Sequence, residues 1–443
     1  MTRTFLALVS TLAIAAVALA APPPKLADRI AAVEKIAVPD LPRLVALYRR
    51  LHANPELGLE EIQTSARLAH EMTELGLDVT PKVGGTGVVG ILRNGPGRVV
   101  LIRADMDALP IVEKTDLPYA SKVRVRNSRG EEVGVMHACG HDVNMTCLVG
   151  VARVLGRMKD RWQGTIVFIG QPAEEIGAGA RMMLADGLFT RFPRPDICLA
   201  LHCDARYPTG TVNFRAGPMQ ANVDSIDITV KGRGGHGSAP QTTIDPIVLA
   251  SRIVLDLQTI VSREIDPQSP AVVTVGSMHG GTVRNVIPSS VALQITVRTL
   301  TDAVRKQVLE AIVRKTKAAA TGAGAPEPEI RIDYENFFPA LVNDEKLTME
   351  TVAMFREALG KDRVHERGMS MGGEDFARYV QAGVPGFYWH LGSAAPERVA
   401  ESLRPGGRPL DLTHSAGYWP VPEPTIRTGV LSMSLAVLRL LGK

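Results

Sequence analysis

Apolar residues along the chain recur at two different periods, and the change from one rhythm to the other divides it. Residues 40–75 read as helical, two amphipathic runs separated by the turn-forming stretch HANPELGLEE. Short apolar runs then alternate with helical stretches, the pattern of an α/β domain with a largely parallel sheet. VVLI (99–102), TIVFIG (165–170) and ICLAL (197–201) predict buried strands. The run NMTCLVGVARVLGRM carries apolar residues at helical spacing, and Asp142 just before it is placed to cap that helix.

From about residue 217 the rhythm shifts. Residues 224–230 alternate, 245–261 are helical, and 271–278 and 290–299 are strand-like. Residues 301–320 set Val304, Val308, Ile312 and Val313 on one side of a helix, and EIRIDY (329–334) closes the series as a strand. That order, β-α-β-β-α-β, predicts a ferredoxin-like α+β sandwich. The α/β rhythm then resumes with strand-like FYWHLG (387–392) and a closing helix over 424–441. The expected architecture is a mixed, mostly parallel sheet with helices on both faces, formed by 22–216 and 336–443, interrupted by a smaller domain over 217–335.

The N-terminus carries a different signal. Soon after Arg3 comes FLALVSTLAIAAVALA (5–20), sixteen residues without a charge, and Ala18-Leu19-Ala20 fits the cleavage pattern of a secretory signal peptide. Residues 1–20 are therefore expected to be removed and the protein exported, to a periplasm or outside the cell. An uncleaved anchor would need about 20 apolar residues, and no later stretch reads as long and apolar enough to span a membrane. The formal charge of +4 and the ordinary 45% apolar content exclude a polyelectrolyte partner and wholesale disorder. No basic run is interleaved with aromatics in the way a nucleic-acid groove requires. Four cysteines in 443 residues cannot build a disulfide scaffold, and Cys198 and Cys203 are badly placed to pair with each other.

Candidate chemistry collects where the predicted strands end. VVLIRA leads into Asp105 and Asp107, TIVFIGQPA into Glu174 and Glu175, and ICLAL into His202, while Cys139 and His141 stand directly before a helix. Ligands of open α/β sheets bind beyond the carboxyl ends of the strands. Thiolate, imidazole and carboxylate together suit zinc-like or manganese-like ions. A nucleophilic Cys139 is the rival chemistry, although metal ligation would consume its thiolate. GRGGHG (232–237) formally matches a dinucleotide fingerprint, but the acidic residue about 20 positions on, Asp256, falls inside a helical run.

The runs LHANPELGLEE, IRADMDALP, GVMHACGHD, QPAEE, GRGGHGSAP, GGTVRNVIP and MGGEDFA resemble those of the aminoacylase/auxin-conjugate hydrolase/hippurate hydrolase family of two-metal amidohydrolases, in order and over nearly the whole chain. The resemblance implies two divalent ions per subunit, manganese or zinc, sharing Cys139, with His141, Glu175, His202 and His414 completing the ligands. It makes Glu174 the general base for a water held between the metals, and Asp107 the carboxylate that orients a ligand histidine. It makes His236 a substrate-side residue that stabilises the oxyanion, often from the partner subunit of a homodimer formed through the inserted domain. Asn285 would hydrogen-bond the substrate. Arg298 is open between pairing with a substrate carboxylate and standing exposed on a strand. The implied reaction is hydrolysis of N-acyl amino acids or small peptides. Carboxypeptidase or dipeptidase action on the same site, and a catalytically silent exported peptide-binding protein, are the alternatives.

Three departures stand out. SKVRVRNSRGEEVG (121–134) is a long polar insertion, expected to form a hairpin near the active-site rim. TVRT lacks the glycine the family usually places before it. LTHSAGYWP lacks the usual continuation after its histidine, which leaves His390 as a competitor to His414, although packing between aromatics is the expected role of His390. His52, His70, His137, His279 and His365 are expected to be structural or solvated, with His137 nearest to a supporting role behind the ligands. Cys147 reads as a core thiol on a helix face.

Overall fold

The structure is a computed structural model describing residues 25–126 and 130–443; the leader expected over 1–20 lies outside these. Helix α1 (Leu26–Ala53) and helix α2 (Ile62–Glu74) flank the HANPELGLEE turn. α1 begins well before residue 40 and runs through Pro39 and Pro42. Proline costs a backbone hydrogen bond inside a helix. Here Val33, Ala37, Leu41 and Leu44 are buried along one stripe of α1, and that packing outweighs the loss.

Walking on, β1 (Asp78–Val83), β2 (Gly87–Asn94), β3 (Val99–Asp105), α3 (His141–Arg157), β4 (Gly164–Gln171), β5 (Ile197–Pro208) and β6 (Val212–Phe214) build the first part of the large sheet. Four strands follow, β7 (Asn222–Lys231), β8 (Ala271–Gly280), β9 (Ser290–Thr299) and β10 (Glu329–Ile332), with α4 (Pro246–Thr259) and α5 (Asp302–Gly322) between them. The chain returns to the large sheet with β11 (Val364–Glu366) and β12 (Gly386–Ala394), and ends on α6 (Pro422–Leu441).

The large sheet runs β1-β2-β4-β3-β5-β12-β6-β11. β3 is parallel to both β4 and β5, and β5 is parallel to β12. These central strands are apolar on both faces. Val100, Ile102, Leu199 and Leu201 face the core under α1, α3 and α6, while Leu101, Cys198 and Ala200 face a second core on the other side. The small sheet is antiparallel with order β8-β9-β7-β10, covered by α4 and α5 around its own core. The two chain crossings lie side by side, since Gln220 pairs with Leu341 and the Asn222 carboxamide accepts from Ala340 N at 2.8 Å.

Two expectations need correction. α6 is long and apolar enough to cross a membrane, contrary to the sequence reading; 78% of its apolar window is buried, so it serves as a core helix. Asp142 is not the cap of α3. Gly140 takes the cap position at φ 88°, where a side chain would run into Cys203 and Tyr418. The Asp142 carboxylate instead accepts from Val143 N and meets His52 Nδ1 at 2.7 Å. The described parts of the insertion pair antiparallel, Arg124–Arg126 against Glu132–Gly134, as a hairpin requires. Earlier in that connection, Lys114 N donates to Ala416 O, two residues past His414.

Candidate active site

Strand ends deliver the side chains. β3 runs into Asp105 and Asp107, β4 into Glu174 and Glu175, and β5 carries His202, while the turn before α3 places Cys139 and His141 alongside. Donor atoms of Cys139, His141 and His202 all lie within 4.8 Å of one another, and so do those of Cys139, Glu175 and His414. Two triads thus share one thiol. Cys139 Sγ is 3.5 Å from His202 Nε2 and 3.3 Å from His414 Nε2, and Glu175 Oε2 is 3.4 Å from His414 Nε2.

The donor atoms are aimed. His141 Nδ1 donates to the Asp107 carbonyl at 2.7 Å, and His202 Nδ1 to the Cys203 carbonyl at 2.8 Å. In its neutral form each ring therefore keeps its lone pair on Nε2, facing the cluster. The Asp107 carboxylate lies 3.3 Å from His141 Nδ1 and accepts from Glu175 N at 2.9 Å, so one residue positions two of the donors. His414 sits at φ +69°, its N–H donating to Ala138 O at 2.7 Å. That bond ties its loop to the Cys139 turn.

These residues fit a pair of cations. His141 Nε2 and Glu175 Oε1 are buried with no hydrogen-bond partner, 3.9 Å apart. The cluster is also too acidic for its burial. Burial, with Glu175 and Glu174 nearby, pushes the Cys139 thiol well up. Burial lifts Glu175 to about 7 against the pull of His141. Burial opposes charge on His141, yet Asp105, Asp107 and Glu175 outweigh it and raise it to about 10. Without cations, this constellation must hold protons where ligands should be bare.

Glu174 lies in the same cavity, of about 570 Å³, with Cys139, Glu175, His202 and His414. Burial, then Glu374 and Glu175, holds its carboxyl well above the usual range. Behind it is a network that the sequence reading assigned no role. Arg103, fully buried, bonds Asp105 at 2.6 Å, Glu374 at 2.8 Å and Asp375 at 3.0 Å. Gln171 bridges Arg103 and Asp375, and Tyr379 Oη donates to Gln171. Two signals pointed there: an arginine inside an otherwise apolar strand, and the acidic pair in MGGEDFA.

Residues 101–404 match the profile of peptidase family M20/M25/M40. The chain belongs to this family. It is 35% identical over 404 residues to thermostable carboxypeptidase 2 of Saccharolobus solfataricus, spanning 90% of this chain and 96% of that relative. It is 36% identical over 354 residues to N-acetyl-L-cysteine deacetylase of Bacillus subtilis, spanning 79% and 80%. Among solved structures, the Bacillus subtilis YXEP protein, a dinuclear metal binding peptidase from the M20 family, superposes with a TM-score of 0.71 at 31% identity, over 90% of this chain and 98% of that one.

The remaining M20 candidates divide. Arg298 lines the cavity rather than standing exposed, its Nη1 donating to Met371 O at 2.7 Å. His390 also lines it, so its role is not confined to packing, but it joins neither donor triad. His236 and Asn285 are exposed and do not line the cavity. They sit together, His236 paired with Val286 and its Nδ1 accepting from Ser238. His137 is buried with neither ring nitrogen partnered, so it supports no ligand through a hydrogen bond. His52 is buried between Asp142 and Glu113; His70 and His279 are exposed, and His365 stacks on Tyr207. All four thiols are free.

Proposed function

We propose that this chain hydrolyses the amide bond of N-acyl amino acids or small peptides, with Glu174 as general base. One observation carries the reading: two donor triads joined through Cys139, all of whose residues but His141 line the cavity, stand beside the buried Glu174 carboxylate, which lines it too and has no ion pair or hydrogen bond with Arg103. When bound, two divalent cations would acidify a water and polarise the scissile carbonyl. Cys139, His141, Glu175, His202 and His414 would hold them. Glu174, elevated by burial, accepts the proton of the attacking water and returns it to the leaving amine, so no acyl-enzyme is required. Arg298 in the cavity wall takes the α-carboxylate, a role suited to a guanidinium.

Carboxypeptidase action is the second reading, and Arg298 favours it equally, because a C-terminal residue is an amino acid acylated by a peptide. The relatives bear the names of a carboxypeptidase and a deacetylase, and neither favours a silent binding protein. Amino-acid release from a panel of N-acetyl, N-benzoyl and dipeptide substrates, with Mn²⁺ or Zn²⁺ restored after chelation, tests both. Activity that survives chelation but falls to thiol alkylation would overturn them in favour of a Cys139 nucleophile.

The working unit is proposed to be a homodimer. His236 and Asn285 stand outside the cavity of their own chain, β8 leaves one edge of the small sheet open, and Val248, Leu255 and Met278 are exposed beside it. Export is likewise proposed from the leader, and the N-terminal sequence of protein recovered outside the cytoplasm tests it.

A further inference from the structure

The cavity wall holds more guanidiniums than one α-carboxylate requires. Besides Arg298 it is lined by Arg206, Arg367 and His390. Arg206 takes both oxygens of Asp204, at 2.9 and 2.7 Å, and Arg367 Nη1 lies 3.3 Å from the same carboxylate. One carboxylate shared by two guanidiniums leaves a positive charge over. Arg206 is half exposed and can be screened by water, but Arg367 is only 5% exposed, and its Nε is buried without a hydrogen-bond partner. A buried guanidinium that shares its one carboxylate with a second arginine is left with unused hydrogen-bonding capacity.

The neighbour of Arg367 is equally informative. Its Nη1 donates to His390 Nδ1 at 2.6 Å. A guanidinium can only donate, so Nδ1 bears the lone pair and the neutral ring keeps its proton on Nε2. That N–H has no partner among the described residues, and it belongs to a residue in the cavity wall. β12 lies parallel to β5 with His390 directly beside His202, the two rings 6.0 Å apart. A ligand held at His390 is therefore within reach of the metal ligands.

We infer that Arg367 and the Nε2–H of His390 form an anion subsite for a second carboxylate of the substrate, in addition to the α-carboxylate at Arg298. The substrate class is an acidic N-acyl amino acid. Its second carboxylate belongs either to the side chain, as in an N-acylglutamate, or to the acyl group, as in an N-succinyl amino acid. A cavity of about 570 Å³ has room for either. The charge-assisted pair to Arg367 gives the affinity, and the fixed tautomer of His390 favours an acceptor over a donor.

The catalytic arm of the test rests on the amide-hydrolase reading above; the binding arm does not. With the metal-loaded full chain, kcat/KM is measured for N-acetylglutamate against N-acetylglutamine, and for N-succinyl-leucine against N-succinamoyl-leucine. At least one acid should exceed its neutral isostere by about tenfold or more, and which pair responds tells side chain from acyl group. Arg367→Gln should reduce that acid-to-amide ratio about tenfold, and His390→Phe by less. Because Arg367 is buried and its variant could fail to fold, the unmodified protein is also titrated with glutarate and with glutaramate, by displacement of a bound product or by thermal shift. Glutarate should bind about tenfold more tightly. Cleavage of amides with no acid preference in either pair, together with equal binding of glutarate and glutaramate, overturns the subsite. Glutarate preference without any amide cleavage keeps the subsite and overturns the hydrolase reading instead.

Discussion

The large-sheet half and the inserted half hold their reactive side chains in opposite ways. Around the large sheet, Cys139, His141, Glu174, Glu175 and His202 are buried or nearly so, and backbone carbonyls and carboxylates aim the ligand rings. In the inserted half, His236 and Asn285 stand on a short exposed ribbon, and among the described residues the His236 imidazole is hydrogen-bonded only by Ser238 two residues away. Burial with orphaned atoms suits a bound ion; exposure leaves the paired His and Asn open to solvent. The first gathers its donor atoms from one chain, and the second stands apart from the cavity most of them line.

The sharpest way to break that contrast is at the base. Glu174→Gln should lower kcat by about three orders of magnitude while metal content, read by elemental analysis, stays at two per chain. Loss of metal alongside activity would make Glu174 a ligand.

Next in size is the scaffold behind the base. Arg103→Met leaves Asp105, Glu374 and Asp375 without their shared cation and should destabilise the fold by about 3–5 kcal/mol in chemical denaturation. An unchanged midpoint would mean that those carboxyls are already neutral.

A pH dependence should distinguish the halves. Burial opposes charge on His52, but hydrogen bonds to Asp142 and Glu113 raise it to about 9. Its folded value exceeds its unfolded one near 6.5, so the stabilisation is complete below about pH 6.5 and disappears as pH rises through about 9. The shift corresponds to a contribution on the order of 3 kcal/mol. The stability gap between the native protein and His52→Gln should therefore close between pH 6.5 and 9.5.

The smallest effect belongs to the inserted half. His236→Ala should lower kcat by about 10–100-fold with little change in KM or metal content. Mixing it with Glu174→Gln should restore part of the activity if each cavity borrows the histidine of its partner. No recovery in a mixture shown to exchange subunits would confine His236 to its own chain.

Much of this was legible in sequence, because fully buried strands advertise themselves as apolar runs and the residues after them stand out by chemistry. VVLI, TIVFIG and ICLAL located Asp107, Glu174 and His202 in that way. Other features depended on partners far away in the chain. The turn capping α3 took its shape from the space between Cys203 and Tyr418, which no local pattern around Asp142 encodes. α1 tolerates two prolines only because its other face is packed. Arg367 and His390 are 23 residues apart and meet solely because β11 and β12 both flank β6.

The arrangement of the two crossings bears on how the protein is made. The small sheet closes on itself within 222–332, whereas β5 must find β12 across that whole stretch, and Cys139 must find His414 over 275 residues. Closing a long loop costs only about 0.6 kcal/mol more per doubling of its length, and pairing of Gln220 with Leu341 shortens the effective span. Contacts of such separation nonetheless form late. A nascent chain therefore has Cys139, His141, Glu175 and His202 available well before His414 arrives, and one complete triad precedes the other. Cation loading should be ordered in time: the group Cys139, His141 and His202 would be ready first, and the group Cys139, Glu175 and His414 would wait for the loop after β12 to dock.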